Sequence, residues 1–348
     1  MNTIPGMMPH SRRVGFVFIA VLAALGTLAS VAPTRAMHAA GQPDPAALQT
    51  TVAGVSFSLG ASVGAVEGTA SELAIYYPYG EKFKLSELTW DIKDVAMGGL
   101  HGSVGFGRRF RLNLGVWSAL TEGTGMMVDR DWNYPDFVSA TLKPDDRNWT
   151  DESRHPDTSL DEGLIIDQNL SVLALEAGAF SLRGLIGVKH DTWKWSARGG
   201  TYVYSTRDYG SRDLTGSFPA GQKVISYEQQ YTIPYIGVGA SWTKSAFQVE
   251  THLLYSPLVS ATDSDHHVLR GVLFEGDFSG GTYLGLGLNA TWAFAQHWSA
   301  VLGVEYQSIP EITGDTTMTG DEGSGFFPGS SGLAMNAISV SLGAGYRF

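Results

Sequence analysis

Along residues 283–294 the chain alternates without a break: Leu284, Leu286, Leu288, Ala290, Trp292 and Phe294 are apolar, while Gly285, Gly287, Asn289, Thr291 and Ala293 are small or polar. A period of two is the signature of a β-strand whose successive side chains point to opposite faces. A strand on a water-soluble core shows the same alternation. Here the small and polar set would line the interior and the apolar set would face outward, which is how a barrel wall meets lipid. The segment at the end of the sequence repeats the arrangement, with Ile338, Val340, Leu342, Ala344, Tyr346 and Phe348 on one face and Ser339, Ser341, Gly343 and Gly345 on the other.

The pattern predicts an all-β, transmembrane antiparallel β-barrel of about ten long strands. They are expected over Val55–Tyr77, Leu85–Val104, Leu112–Asp131, Leu164–Ala177, Leu182–Tyr204, Val224–Lys244, Phe247–Ser260, His267–Phe294, Trp298–Ile309 and Leu333–Phe348. Short connections at Gly105–Phe110, Lys244–Ala246 and Ala295–His297 suit periplasmic turns. Long polar ones over Asn133–Asp161, Ser205–Gln222 and Pro310–Gly332 suit the cell exterior. Many of these strands exceed the roughly 9–11 residues that cross a bilayer at a tilt, so the barrel is expected to project beyond the outer membrane. The terminal Phe348 after an alternating strand resembles the assembly signal of bacterial outer-membrane barrels.

Residues 1–40 are expected to be a signal peptide: Ser11-Arg12-Arg13 is a basic start, Val14 to Val31 an apolar stretch, and Thr34 to Ala40 supplies small residues for cleavage. Residues 41–348 then form one barrel domain. Nothing after the signal approaches the roughly 18 uninterrupted apolar residues of a spanning helix. The chain has no cysteine, which excludes disulfides, thiolate metal sites and a cysteine nucleophile. A net charge of -11 argues against nucleic acid and favours cationic partners. Glycine at 43 of 348 residues, together with many aromatics, suits long girdled strands.

Two acidic stretches carry the candidate chemistry. Asp129 and Asp131 lie two apart at the end of the Leu112–Asp131 strand, where odd positions face inward. Two carboxylates on one wall resist double ionisation unless a shared proton, a cation or a polarised water uses them. Alternatively they are solvated acids at a strand end. In Asp263-Ser264-Asp265-His266-His267, Asp265 and His267 are also two apart, and a carboxylate can orient an imidazole as general base. Strict alternation from Phe247, Val249 and Leu253 would aim this set outward. Either a bulge near Pro257–Ala261 resets the phase, or these residues lie above the bilayer. Ser153 and His155 raise a nucleophilic-serine alternative. The adjacent His266 and His267 lack a recognised zinc-ligand spacing.

The chain resembles the omptins, outer-membrane endopeptidases built on a ten-stranded barrel. The resemblance rests on Met127-Val128-Asp129-Arg130-Asp131-Trp132, Trp149-Thr150-Asp151-Glu152-Ser153-Arg154-His155-Pro156-Asp157-Thr158, Ala197-Arg198-Gly199-Gly200, Gly216-Ser217-Phe218-Pro219, Pro234-Tyr235-Ile236-Gly237 and Asp263-Ser264-Asp265-His266-His267, in family order. It implies that the Asp129–Asp131 pair and the Asp265–His267 pair face each other across an extracellular groove and activate a water, with no metal and no cofactor. It implies that Glu72 and Asp263 form an acidic primary pocket for a basic side chain, and that Ser153 and His155 contact substrate or support the groove rim. Family members also hold lipid A phosphates on the outer wall through basic and aromatic residues. The corresponding positions here are Val188, His190, Thr192 and Gln230, so the expected basic residues are missing: either a lipopolysaccharide requirement is not carried over or the lipid is held differently.

The expected function is therefore that of an outer-membrane endopeptidase with an extracellular site, cleaving cationic peptides or proteins with exposed basic sites. The alternative is a non-enzymatic barrel acting as adhesin or pore.

Overall fold

The computed structural model describes residues 54–77, 80–133 and 147–348; the expected signal segment lies outside them. All regular structure among the described residues is strand, in thirteen pieces: β1 Val55–Tyr76, β2 Phe83–Phe106, β3 Phe110–Ala119, β4 Gly125–Asp131, β5 Asp151–Ala177, β6 Phe180–Arg198, β7 Thr201–Tyr204, β8 Leu214–Ser217, β9 Lys223–Lys244, β10 Phe247–His267, β11 Val272–Ala293, β12 Trp298–Gly320 and β13 Gly323–Arg347. They form one antiparallel sheet in the order β3-β2-β1-β13-β12-β11-β10-β9-β6-β5, and β5 pairs back onto β3 to close the ring. Closure leaves no lipid-exposed edge. β3 and β4 both sit between β2 and β5 and make one interrupted stave, so the wall has ten staves; β7 and β8 form a side hairpin on β5.

The boundaries differ from the expected ones in instructive places. The Leu112–Asp131 strand is broken at residues 120–124, where Gly123 takes φ +69° and a Cβ there would strike the Lys93 carbonyl. The Pro310–Gly332 connection is a long hairpin, since β12 and β13 pair as far as Gly320 and Gly323 and leave Asp321-Glu322 as the turn. Asp263 to His267 belong to β10 itself, and a separate turn, residues 268–271, leads into β11. Part of the Asn133–Asp161 connection is strand β5; residues 134–146 of it lie outside the described residues. In the β12–β13 hairpin and the start of β5, polar strand reads like loop because it stands above the membrane, where no lipid-facing face enforces an apolar alternation.

The lower half of the wall carries the lipid-facing band, with Leu59, Val63, Leu100, Ile186, Ile236, Leu286, Leu302, Val340 and Leu342 all exposed. Higher up, the barrel is filled. Trp90, Trp193, Trp195, Tyr227 and Tyr231 are buried inside it, Tyr227 stacking on Trp90 at 5.3 Å and on Trp195 at 6.0 Å between centroids. Below this aromatic slab lies a cavity of about 470 Å³ whose lining includes Arg111, Asp167, Lys189, His252 and Glu305. The slab separates that cavity from the extracellular mouth and forms the floor on which the candidate site is built.

Candidate active site

One wall is the short stave β4. Its register sets Asp131 between Ser86 and Asp151, and Asp129 between Leu88 and Ser153. Paired residues share a face, so Asp129, Asp131, Asp151 and Ser153 look inward together. Threonines anchor both ends of β4. Met127 N–H donates to Thr158 Oγ1 at 3.1 Å, and Thr150 Oγ1 donates to the Asp131 carbonyl at 3.0 Å. Ser86 Oγ donates to Asp129 Oδ1 at 3.3 Å. Burial pushes the Asp129 carboxyl up to about 6, against the pull of the His267 charge and with the push of Asp265. Asp131 is raised well above the usual carboxylate range by burial and then by Asp129. Both shifts run in the direction that burial and like charges sharing one wall impose.

The facing wall is the upper end of β10. Up to Ser256 the even positions of β10 are the buried ones; from Val259 the odd positions are. The change falls at Pro257-Leu258, where pairing to both neighbours shifts and the Leu258 N–H turns back to Ser256 Oγ at 3.1 Å. The bulge therefore resets the phase, and Asp263, Asp265 and His267 point inward although Phe247, Val249 and Leu253 below them face lipid. His267 Nε2 stands 2.6 Å from Asp265 Oδ2, with Asp265 only 1% exposed, and the ring meets Phe274 edge-on at 5.7 Å. Burial is the largest influence on His267 and opposes its charge, but Asp265, joined by Asp129, lifts the imidazole above its ordinary value on balance. His266, next along the strand, points to the opposite face, so the two imidazoles cannot converge on one ion.

Between the walls lies an acidic pit. Glu72 of β1 reaches the electrostatic neighbourhood of Asp265, Asp263 and Asp129, and one of its carboxylate oxygens is buried without a donor. Burial first, then those three carboxylates, hold Glu72 well above its usual range. Burial lifts Asp263 to about 7, against the Tyr227 hydroxyl, which donates to it at 3.1 Å. Tyr227 in turn accepts from Gln229 Nε2 at 2.8 Å, and Tyr231 donates to Gln229 Oε1 at 2.8 Å. The pit is thus a set of reluctant anions over an aromatic floor, and a cationic side chain entering it would draw their protons off. At the rim Arg270 is clamped by Glu322, Nε and Nη2 each 2.8 Å from a carboxylate oxygen.

Ser153 and His155 lie on β5, beside β4 in the sheet. Ser153 Oγ is 2.9 Å from His155 Nε2, and His155 Nδ1 is 2.6 Å from the Gly199 carbonyl. His155 is fully buried under Phe218, with centroids 5.3 Å apart. Gly199 and Gly200 take φ +53° and +103°, and a Cβ on Gly200 would collide with the Arg154 carbonyl, which is why the motif needs glycine there. Ser86, Tyr227, Gln229 and Tyr204 also reach the site. Their positions depend on which strands become neighbours, and no local signal marks them. Asp151 could have been found, since it shares the parity of Ser153 within one motif.

The family model described as "Omptin family" matches residues 54–348. The chain is similar to the plasminogen activator of Yersinia pestis, 29% identical over 298 residues that cover 84% of this chain and 90% of that protein. It is similar to the outer membrane protease OmpP of Escherichia coli, 30% identical with 74% and 78% covered. Among solved structures, the outer membrane protease OmpT of Escherichia coli superposes with a TM-score of 0.77 at 25% identity, covering 84% of this chain and 97% of that one.

Proposed function

This chain belongs to the omptin family of outer-membrane proteases, and we propose that it cleaves peptide bonds at basic residues with a water activated between Asp129–Asp131 and Asp265–His267. The observation that carries the reading is the convergence of the two pairs: each lies on the inward face of its wall, above the aromatic floor, and the charge of His267 is felt at Asp129. In the mechanism His267 removes a proton from the water through the ring nitrogen that Asp265 leaves free. The Asp dyad holds the water from the other side. Hydroxide adds to the carbonyl carbon, and the leaving nitrogen takes the proton back from His267 as the C–N bond breaks. No step needs a metal.

The basic preference is supported by the pit. Glu72 and Asp263 sit beside the reacting groups and are raised by burial, so a lysine or arginine side chain supplies the counter-charge that favours their ionised forms. The wider acidic mouth adds long-range attraction for cationic peptides. The outer wall supports activity without lipopolysaccharide. Lys194, a cation close to the expected phosphate positions, is 3.1 Å from Glu228, and His190 is engaged with Thr232 at 3.1 Å. The refolded protein is expected to cleave equally well with and without added lipopolysaccharide.

The Ser153–His155 contact favours a second reading, a serine nucleophile, since a base oriented by Gly199 meets a hydroxyl at 2.9 Å. Burial opposes it, because Ser153 is 4% exposed and a peptide carbonyl has little access. The test is hydrolysis of short Arg-Arg or Lys-Arg peptides, with cut positions read by mass. Asp129→Asn and His267→Ala are expected to abolish cleavage, while a serine mechanism requires Ser153→Ala to be as damaging and serine-directed reagents to inactivate. Full cleavage by both of the first two variants would leave only the non-enzymatic barrel.

A further inference from the structure

The β7–β8 hairpin extends the row of paired residues that carries the Asp dyad. Ser153 of β5 lies opposite Tyr202 of β7, and Glu152 opposite Val203. One step further along the same register brings Tyr204 beside Asp151, which itself pairs with Asp131. Tyr202 and Tyr204 share a face, their rings stacked at 4.6 Å, and Tyr202 rests against Phe218 at 5.2 Å. The register therefore sets Tyr204 on the hairpin side of Asp151 and close to Ser153, with its phenol within electrostatic reach of Asp129, Asp131 and Asp151.

Hydrogen-bond polarity fixes what this phenol can do. The Gly199 carbonyl only accepts, so His155 Nδ1 carries a hydrogen and, in the neutral ring, Nε2 is an acceptor. Ser153 Oγ therefore donates to Nε2. Its proton is committed, and it has none to offer a substrate. When hydroxide adds to a peptide carbonyl, negative charge grows on an oxygen among Glu72, Asp129, Asp131, Asp151, Asp263 and Asp265, where it needs a neutral or positive donor. Arg270, the cation that reaches these groups electrostatically, has its guanidinium turned onto Glu322.

We propose that Tyr204 is a catalytic residue that donates its phenolic O–H to the scissile carbonyl oxygen as it becomes an oxyanion, with Ser153 and His155 acting behind it as positioning residues. This rests on the water mechanism proposed above. The phenol keeps its proton throughout; it contributes a hydrogen bond, and the proton traffic still runs between water, His267 and the leaving nitrogen. Burial and the three neighbouring aspartates push the Tyr204 phenol up, which keeps it a donor over the working range. The assignment also gives the matched Ser153–His155 motif a purpose that needs no nucleophile.

Tyr204→Phe removes the hydroxyl and keeps the stacked ring. The full-length refolded barrel carrying it is assayed with an Arg-Arg peptide, alongside His267→Ala and Asp129→Asn. The expected result is a fall in kcat of about 10²–10³-fold with KM nearly unchanged, the loss that follows removal of one oxyanion donor. A reduced-amide analogue of the same peptide has no carbonyl oxygen, so its inhibition constant is expected to be the same for Tyr204→Phe and the unaltered protein. Unchanged kcat in Tyr204→Phe overturns the proposal. A loss of reduced-amide binding that parallels the loss of kcat overturns it too, because Tyr204 would then only shape the groove. If His267→Ala and Asp129→Asn remain active, the water mechanism itself falls, a result distinct from either.

Discussion

Replacing Asp265 with asparagine keeps the shape of the His267 wall and removes its charge. The carboxylate is 1% exposed and 2.6 Å from His267 Nε2; burial alone would lower the imidazole, and Asp265, helped by Asp129, turns the balance to a net rise. An opposite charge this close favours the imidazolium over the neutral ring. The sign follows directly. In the unaltered protein His267 is raised, so the neutral base that takes the proton from water prevails only above that raised value, and kcat/KM climbs with pH through it. In Asp265→Asn the imidazole loses its proton more easily, and the acid limb moves to lower pH. Asp129, which Asp265 also pushes up, shifts in the same direction, so the composite limb moves as one. The plateau falls as well, because the base is weaker and its tautomer is no longer held, up to the whole contribution of general base catalysis, about 10²–10⁴-fold. The measurement is kcat/KM against pH with an internally quenched Arg-Arg peptide. A limb that stays in place or moves upward refutes His267 as the base oriented by Asp265.

Glu72→Gln and Asp263→Asn are expected to lower kcat/KM for peptides with a basic residue at the cut by about 10–100-fold each, the scale of a lost hydrogen bond to a charged group, with little effect on a peptide carrying a neutral residue there. For the unaltered protein, kcat/KM on cationic peptides is expected to fall as salt rises from low ionic strength, because the acidic mouth acts beyond contact range; a flat salt profile would remove steering from the account. Deleting Leu258 removes the extra residue of the β10 bulge and is expected to turn Asp265 and His267 outward, abolishing cleavage while heat-modifiable gel mobility still reports a folded barrel. Retained activity in that deletion would show that the bulge does not set their direction.

Much of the wall was legible because lipid imposes a simple rule on it. Where one face meets hydrocarbon, residues such as Leu284, Leu286, Leu288, Ile338, Val340 and Leu342 must alternate with small or polar ones, and that period survives in a single sequence. Above the bilayer the rule lapses, so the hairpin of β12 and β13 and the start of β5 read as loops. The chemistry-bearing residue types and their two-residue spacings were equally open to view, since neighbours in a strand share a side by local geometry alone. Only the tertiary structure decided which way Asp265 and His267 point, because the phase depends on a bulge at Pro257-Leu258 that the pairing partners β9 and β11 accommodate. It also decided that Glu72 comes within electrostatic reach of Asp263 across the barrel and that Tyr204 stands beside Asp151, next to the dyad. Those relations are set by ring closure and register between strands distant in sequence, and a linear chain carries no local energy term that records them.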